Sequence, residues 1–265
     1  MHKNNFLKDK LNSGKTVIGT WSVIPSPTVA DILTSAGMDF IVVDAEHGPV
    51  SYETAQNMIR ACETNNASAL FRVGDNNENL ILRALEIGSH GVIVPQVVDY
   101  ESAKEVAECS RYFPEGNRGY SPFTRAGGFT AVQNHTNISN KNVLTSIIIE
   151  GEEGINNFDE ILDVKNIDII YLGPYDLSQS LGCPGEIENP KVLDLIEKCC
   201  KKAESKNIVI GSFVKDLKYA KFLINNGVRL LAYRADCDML YNAAKNITDD
   251  ISSLLDSYGE IRFGE

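Results

Sequence analysis

The chain has 265 residues, 43% of them apolar, and a net charge of −11 from 25 Lys and Arg against 36 Asp and Glu. That length suits two small domains or one α/β barrel. The acidic balance argues against nucleic-acid or anionic-membrane partners, which need a clustered excess of Lys and Arg. No apolar run approaches the 18 residues of a membrane span. The first fifteen residues, MHKNNFLKDKLNSGK, lack the apolar stretch of a signal peptide. Six cysteines are scattered without a C-x-x-C spacing. In a chain this large they read as reduced thiols, so the expected setting is cytoplasmic.

In chain order, short apolar and β-branched runs alternate with segments of helical period. The strand candidates are 16–21, 40–44, 68–73, 91–96, 144–150, 168–173, 208–213 and 229–234. Most are near-continuous apolar runs, the pattern of parallel strands covered on both faces. SPTVADILTSAG and SYETAQNMIRACE are amphipathic and helical. In the first, Pro27 stands near the start and Gly37 at the expected C-terminal cap. Further helices are expected over 78–87, 100–110, 154–163, 190–205, 215–226 and 237–255. Eight βα units predict a (β/α)8 TIM barrel occupying 1–265 as a single domain. A doubly wound sheet is the alternative, weakened because no Gly-rich phosphate fingerprint follows the first strand. The segment 112–140 reads as one long irregular loop, a length usual only where a loop has a function or a partner.

In a TIM barrel the active site forms at the C-terminal ends of the strands. There the sequence places Asp44, Glu46 and His47, then Arg72, Pro95 and Gln96, Glu150, the run Gly173-Pro174-Tyr175-Asp176, and finally Arg234 and Asp236. Glu150 and Asp176 close neighbouring strands, whose backbones run about 4.8 Å apart. Two carboxylates without a thiolate suit a hard divalent ion; as solvated acids, or with Asp176 capping a helix, they would need none. His47 is a candidate general base, with Asp44 placed to hold its ring; a loop histidine bonded to backbone is the plainer reading. Arg72 offers a fixed fork for a carboxylate or an enolate oxygen, or a rim salt bridge with Glu46 or Glu150. His90 reads as a packing or bottom-face residue; His2 and His135 lie in polar stretches and carry no signal. No lysine closes a strand, which disfavours a Schiff base.

The collinear segments DFIVVDAEHGP, FRVGDNNENLILRALEIGSHGVIVPQV, RYFPEGNRGYSPFTRAGGF, IIIEGEEGINNFDEIL and YLGPYDLSQSLG span roughly 17 to 235. Together they resemble the HpcH/HpaI family of metal-dependent (class II) 2-keto acid aldolases. The resemblance implies a barrel of the phosphoenolpyruvate/pyruvate-binding type. It also implies a homo-oligomer, a hexamer in this family, with the C-terminal helix, about 237–255, swapped to a neighbouring subunit. By motif, Glu150 and Asp176 would bind the metal, Mg²⁺ or Mn²⁺ before Co²⁺. His47 would act as base through water with Asp44 behind it, and Arg72 would contact the keto oxygen of pyruvate. Backbone N–H groups near Gly173, Pro174 and Asp176 would hold its carboxylate. The chain departs from the family pattern at Gly151, Ile148 and Gly74, where the family commonly has Thr, Gln and Pro, and at Glu86, where some members have an Asp that reaches the neighbouring subunit's site. The expected partners are therefore a small keto acid and an aldehyde. The expected reaction is reversible retro-aldol cleavage of a 4-hydroxy-2-keto acid, sugar-acid-like, to pyruvate and that aldehyde. Two alternatives stay open: decarboxylation of an oxaloacetate-type acid through the same enolate, and keto-acid binding without catalysis.

Overall fold

The computed structural model describes residues 5–262; His2 lies outside them. Eight parallel strands close into a barrel in sequence order, the last pairing back to the first. They are β1 (Val17–Ser22), β2 (Phe40–Asp44), β3 (Ser68–Arg72), β4 (Gly91–Val94), β5 (Leu144–Ile149), β6 (Ile169–Leu172), β7 (Val209–Val214) and β8 (Leu230–Ala235). Each lies within two residues of its expected bounds.

The apolar runs serve two cores because successive residues of a strand face opposite sides. Inside the barrel pack Val17 and Trp21, Phe40 and Val42, Leu70, Ile93, Leu144 and Ile148, Ile169 and Tyr171, Val209, Leu230 and Ala232. The alternate residues, such as Ile41, Val43, Phe71, Val92, Ile147 and Ile170, pack outward against the helices. The inward phase carries on to the strand ends, so Asp44, Arg72 and Glu150 share the parity of Val42, Leu70 and Ile148. Periodicity of two therefore delivers these polar side chains to the mouth of the barrel.

The polar N-terminus closes the other end. Helix α1 (Phe6–Asn12) buries Leu7 and Leu11 against the barrel interior. Asn5 caps it by accepting from the Lys8 N–H, and the Asn5 amide donates to the His90 and Asn142 carbonyls. His90 sits just before β4 at this base, as expected, accepting from the Ala69 N–H at Nδ1.

The outer layer holds α2 (Pro27–Ser35), α3 (Tyr52–Thr64), α4 (Glu78–Glu86), α5 (Tyr100–Cys109), α6 (His135–Asn142), α7 (Glu152–Asn156), α8 (Phe158–Ile161), α9 (Pro174–Ser180), α10 (Pro190–Glu204), α11 (Leu217–Asn225) and α12 (Asp236–Arg262). Three expectations are corrected. The irregular segment ends at 134, because α6 forms where Ser139 is buried and Asn140 exchanges two hydrogen bonds with the Tyr112 backbone. Its first residue, His135, is buried against the rings of Tyr112 and Tyr120 instead of lying in a polar loop. The single helix expected over 154–163 is broken into α7 and α8 at Asn157, whose amide donates to the Val98 carbonyl.

Helix α12 runs longer than expected, 27 residues, roughly 40 Å at 1.5 Å per residue. It exposes Leu240, Tyr241, Ile247, Ile251, Leu254, Leu255 and Tyr258. Among the described residues no helix is long and apolar enough to cross a membrane. No cysteine is disulfide-bonded; five are buried and Cys237 is exposed.

Candidate active site

The strand-end residues meet in one cavity of about 300 Å³ at the barrel mouth, lined by Asp44, His47, Arg72, Glu150, Gly173, Pro174 and Asp176. That volume falls at the lower end for small-molecule sites. Larger grooves, of about 620 and 500 Å³, lie at the base and hold none of these residues.

Asp44 and Arg72 stand opposite each other in the β2–β3 register. Arg72 donates Nε to Asp44 Oδ1 at 2.9 Å and Nη2 to Oδ2 at 2.5 Å, a bidentate fork. Its Nη1 lies 2.9 Å from Glu46 Oε2 in an ion pair without hydrogen-bond geometry. The guanidinium also lies over the Trp21 ring, 4.3 Å from the centroid. Trp21 is fixed in turn by donating Nε1 to the Tyr171 hydroxyl at 2.9 Å, and the two rings meet edge-on. Burial pushes the Tyr171 phenol well up from its ordinary value, so it stays a neutral acceptor.

Asp44 does not hold the His47 ring, which corrects the expectation from spacing. Its Oδ1 accepts instead from the backbone N–H groups of Glu46 at 3.0 Å and His47 at 3.2 Å. The physical reason is the turn that follows β2. The chain doubles back so tightly that a Cβ on Gly48 would stand 2.4 Å from the Asp44 carbonyl oxygen. This brings the amides, not the imidazole, over the carboxylate and leaves the His47 side chain exposed at the mouth. Asp44 thus positions two groups at once, the Arg72 fork and the loop that carries His47.

Glu150 and Asp176 face the opposite wall. Glu150 Oε1 accepts the Gln96 N–H at 3.0 Å, and Gln96 takes a left-handed φ of 56° there. Burial pushes the Glu150 carboxyl above its usual range. The Gln96 N–H opposes that shift, and the charges of Asp176 and Glu46 add to it. Asp176 stands in the first turn of α9, whose N-cap Gly173 supplies no side-chain cap. A Cβ on Gly173 would lie 3.3 Å from Glu150 Cβ and 3.6 Å from Asp176 Oδ2. Glycine at 173 therefore keeps open the space between the two acids. No hydrogen-bond donor reaches the Asp176 carboxylate among the described residues. Among the described residues no third His, Cys, Asp or Glu joins the pair to make a larger cluster there. Two adjacent carboxylates with oxygens to spare and an open space beside them fit a hard divalent cation.

Of the remaining lining, the motifs name only Ile148 and Tyr175, without a role. Val23, Ile148, Tyr171, Tyr175, Phe213 and Ala235 line it, and Tyr175 and Phe213 meet at 5.3 Å between centroids. Strand parity could have pointed to Ile148, Tyr171 and Phe213, which continue inward-facing series.

A model of the HpcH/HpaI aldolase/citrate lyase family matches residues 17–243. A hydroxypyruvate/pyruvate aldolase from Roseobacter denitrificans is 30% identical over 244 residues, covering 92% of this chain and 95% of that protein. A 5-keto-4-deoxy-D-glucarate aldolase from Shigella boydii is 30% identical over 245 residues, covering 92% and 95%. Among solved structures, an HpcH/HpaI aldolase/citrate lyase family protein from Burkholderia cenocepacia superposes with a TM-score of 0.89 at 25% identity, covering 94% of this chain and all of that one. The match over nearly the whole barrel, with the strand-end acids gathered at its mouth, makes this chain a member of the HpcH/HpaI aldolase/citrate lyase family.

Proposed function

We propose that the chain is a carbon–carbon lyase that cleaves a 4-hydroxy-2-keto acid reversibly to pyruvate and an aldehyde. The observation that carries the reading is the division of the cavity. A fixed cation, Arg72, faces two carboxylates, Glu150 and Asp176, across a space open to His47. In cleavage the 4-hydroxyl gives up its proton, the C3–C4 bond breaks, and its electron pair passes into the pyruvate enolate, which is then protonated at C3. Arg72 stabilises the negative oxygen of that enolate; its pairing with Asp44 and Glu46 still leaves guanidinium N–H groups over. His47, exposed at the mouth, takes the hydroxyl proton directly or through a water. Gly173 donates its N–H to the Ile149 carbonyl and Pro174 has none, so the uncapped first turn of α9 has the Tyr175 and Asp176 N–H groups to offer the substrate carboxylate.

Glu150 and Asp176 would hold a divalent ion, Mg²⁺ or Mn²⁺ ahead of Co²⁺ because the donors are all oxygen. When bound, it supplies Lewis acidity toward the 2-keto oxygen. The decarboxylase and binding-only alternatives are not favoured, since the named relatives are aldolases. We further propose a homo-oligomer, with the apolar residues of α12 covered by a second copy, and a cytoplasmic setting for the six unpaired cysteines. Sedimentation as a monomer at micromolar concentration would contradict the assembly.

The experiment is aldol cleavage against EDTA, with Mg²⁺ or Mn²⁺ added back, for the wild type and His47→Ala. Activity should vanish with EDTA and return with the metal. His47→Ala should lose about 10²–10³-fold or more in cleavage while sparing oxaloacetate decarboxylation, which deprotonates no hydroxyl. Full activity without metal, or substrate trapped by borohydride, would sink the reading.

A further inference from the structure

The uncharged part of the cavity lining bears on the aldehyde. Asp44, His47, Arg72, Glu150 and Asp176 surround the space assigned above to pyruvate and the bond that breaks. The other side chains of the lining are those of Val23, Ile148, Tyr171, Tyr175, Phe213 and Ala235, with Trp21 under Arg72. None of these carries a charge. The one hydroxyl buried among them, that of Tyr171, already accepts from Trp21. Tyr175 and Phe213 meet at 5.3 Å and 64° and present a continuous aromatic wall. Such a wall gains by covering hydrocarbon and offers little to replace the water around a carboxylate.

The field of the site points the same way. Among the described residues, Arg72 and His47 are the only basic side chains lining the cavity. The Arg72 charge is already shared between Asp44 and Glu46. Neutralising Glu150 and Asp176 with a cation would leave that sharing unchanged, and pyruvate itself brings a further negative charge. A second carboxylate, on the aldehyde, would find no further cation among the described residues to meet it and an acid-rich mouth to repel it.

We propose that the aldehyde half of the substrate is uncharged, with an apolar end packed on the Tyr175–Phe213 wall, so that the 2-keto acid cleaved is a monoacid and not a diacid. This rests on the aldolase reading and narrows it to one substrate class, with Ile148, Tyr175 and Phe213 as the specificity-determining residues.

The test is aldol addition to pyruvate with Mg²⁺, comparing kcat/KM for propanal and lactaldehyde with that for glyoxylate and succinic semialdehyde. Hydrogen–deuterium exchange at the pyruvate methyl, followed by proton NMR without aldehyde, is measured beside it. The uncharged pair should be favoured at least tenfold. Tyr175→Lys, at a half-exposed position, should narrow that gap by raising kcat/KM for succinic semialdehyde, with methyl exchange retained. Phe213→Arg, checked for folding by circular dichroism, should narrow it further. Methyl exchange together with equal or better use of the anionic aldehydes by the wild type would overturn this inference alone. Absence of both exchange and product with every aldehyde would overturn the aldolase reading and this inference with it.

Discussion

The two ends of the barrel both bury charge, and they treat it differently. At the base, Arg111 donates Nη2 to Asp168 Oδ2 at 2.9 Å and Nη1 to Thr145 Oγ1 at 2.5 Å. Asp168 also accepts from the Thr145 N–H at 2.8 Å and pairs with Lys8 at 2.9 Å. Every oxygen of that acid has a donor. At the mouth, Arg72 is as tightly held, but half-buried Glu150 has one donor, and Asp176, exposed to solvent, has none among the described residues. An acid whose oxygens are all engaged is a fastening, because the carboxylate has nothing left over to bind, although Arg111 Nε stays without a partner. A half-buried acid left with one donor beside a cavity, as Glu150 is, costs stability and is retained where a ligand completes it. The same residue types therefore carry different meanings at the two ends, and the count of satisfied oxygens separates them.

The sharpest way to break this comparison is at the two arginines. Arg72→Ala should lower turnover per folded molecule about 10²–10³-fold, in cleavage and in any oxaloacetate decarboxylation alike, since both form the enolate. Arg72→Lys should recover little, because a point charge cannot reproduce the fork on Asp44. Initial rates corrected for the folded fraction check this, and full activity in Arg72→Ala would remove the contrast. At the base, Arg111→Ala should cost about 3 kcal/mol in urea unfolding, the low end for breaking a buried pair, because Lys8 stays on Asp168. Its kcat/KM per folded molecule should stay unchanged; a loss confined to activity would mean that the base, too, serves the reaction.

A smaller effect sharpens the claim about Glu150. Burial and the neighbouring acids disfavour its charge, so Glu150→Gln should hold or slightly raise the Tm of metal-free protein while abolishing metal retention in equilibrium dialysis. A drop in Tm of several degrees would show that Glu150 is a fastening like Asp168.

The smallest expected effect concerns His135. Burial, and then the Arg118 charge, hold its imidazole below the ordinary value. Its folded pKa therefore lies below its unfolded one, and the stability it contributes is present above about 6.5 and lost as pH falls through the folded-state value. Unfolding free energy should decline more between pH 7.5 and 5 in the wild type than in His135→Gln. Parallel curves for the two proteins would remove the titration from the account.

How much of this was legible beforehand follows from which effects are local. The strands and most helices could be read because apolar period and capping residues act within a few positions, as Ser26, Ser51, Asp99 and Asp216 do at their helix starts. The acids, Arg72 and His47 could be placed because strand ends are recognisable and barrel sites form there. Helix α6 and the burial of His135 could not, because its segment is polar and its partners, Tyr112 and Tyr120, lie across an irregular stretch. The plug role of α1 was hidden too, since two leucines in a polar run signal nothing until a barrel interior stands above them.

The sequence alone determined eight buried strands and which polar residues end them, because apolar runs and the polar residues that stop them are local features. Tertiary structure alone decided which of those residues are spoken for. Asp44 could have held the His47 ring or the Arg72 fork, and strand register set Arg72 directly opposite it. Phe213 and Tyr175 lie far apart in the chain and become one wall only when β7 closes against β6. Pairing across strands is a property of closure, in which distant segments compete for the same oxygens and the same space, and no local run of residues contains the outcome of that competition.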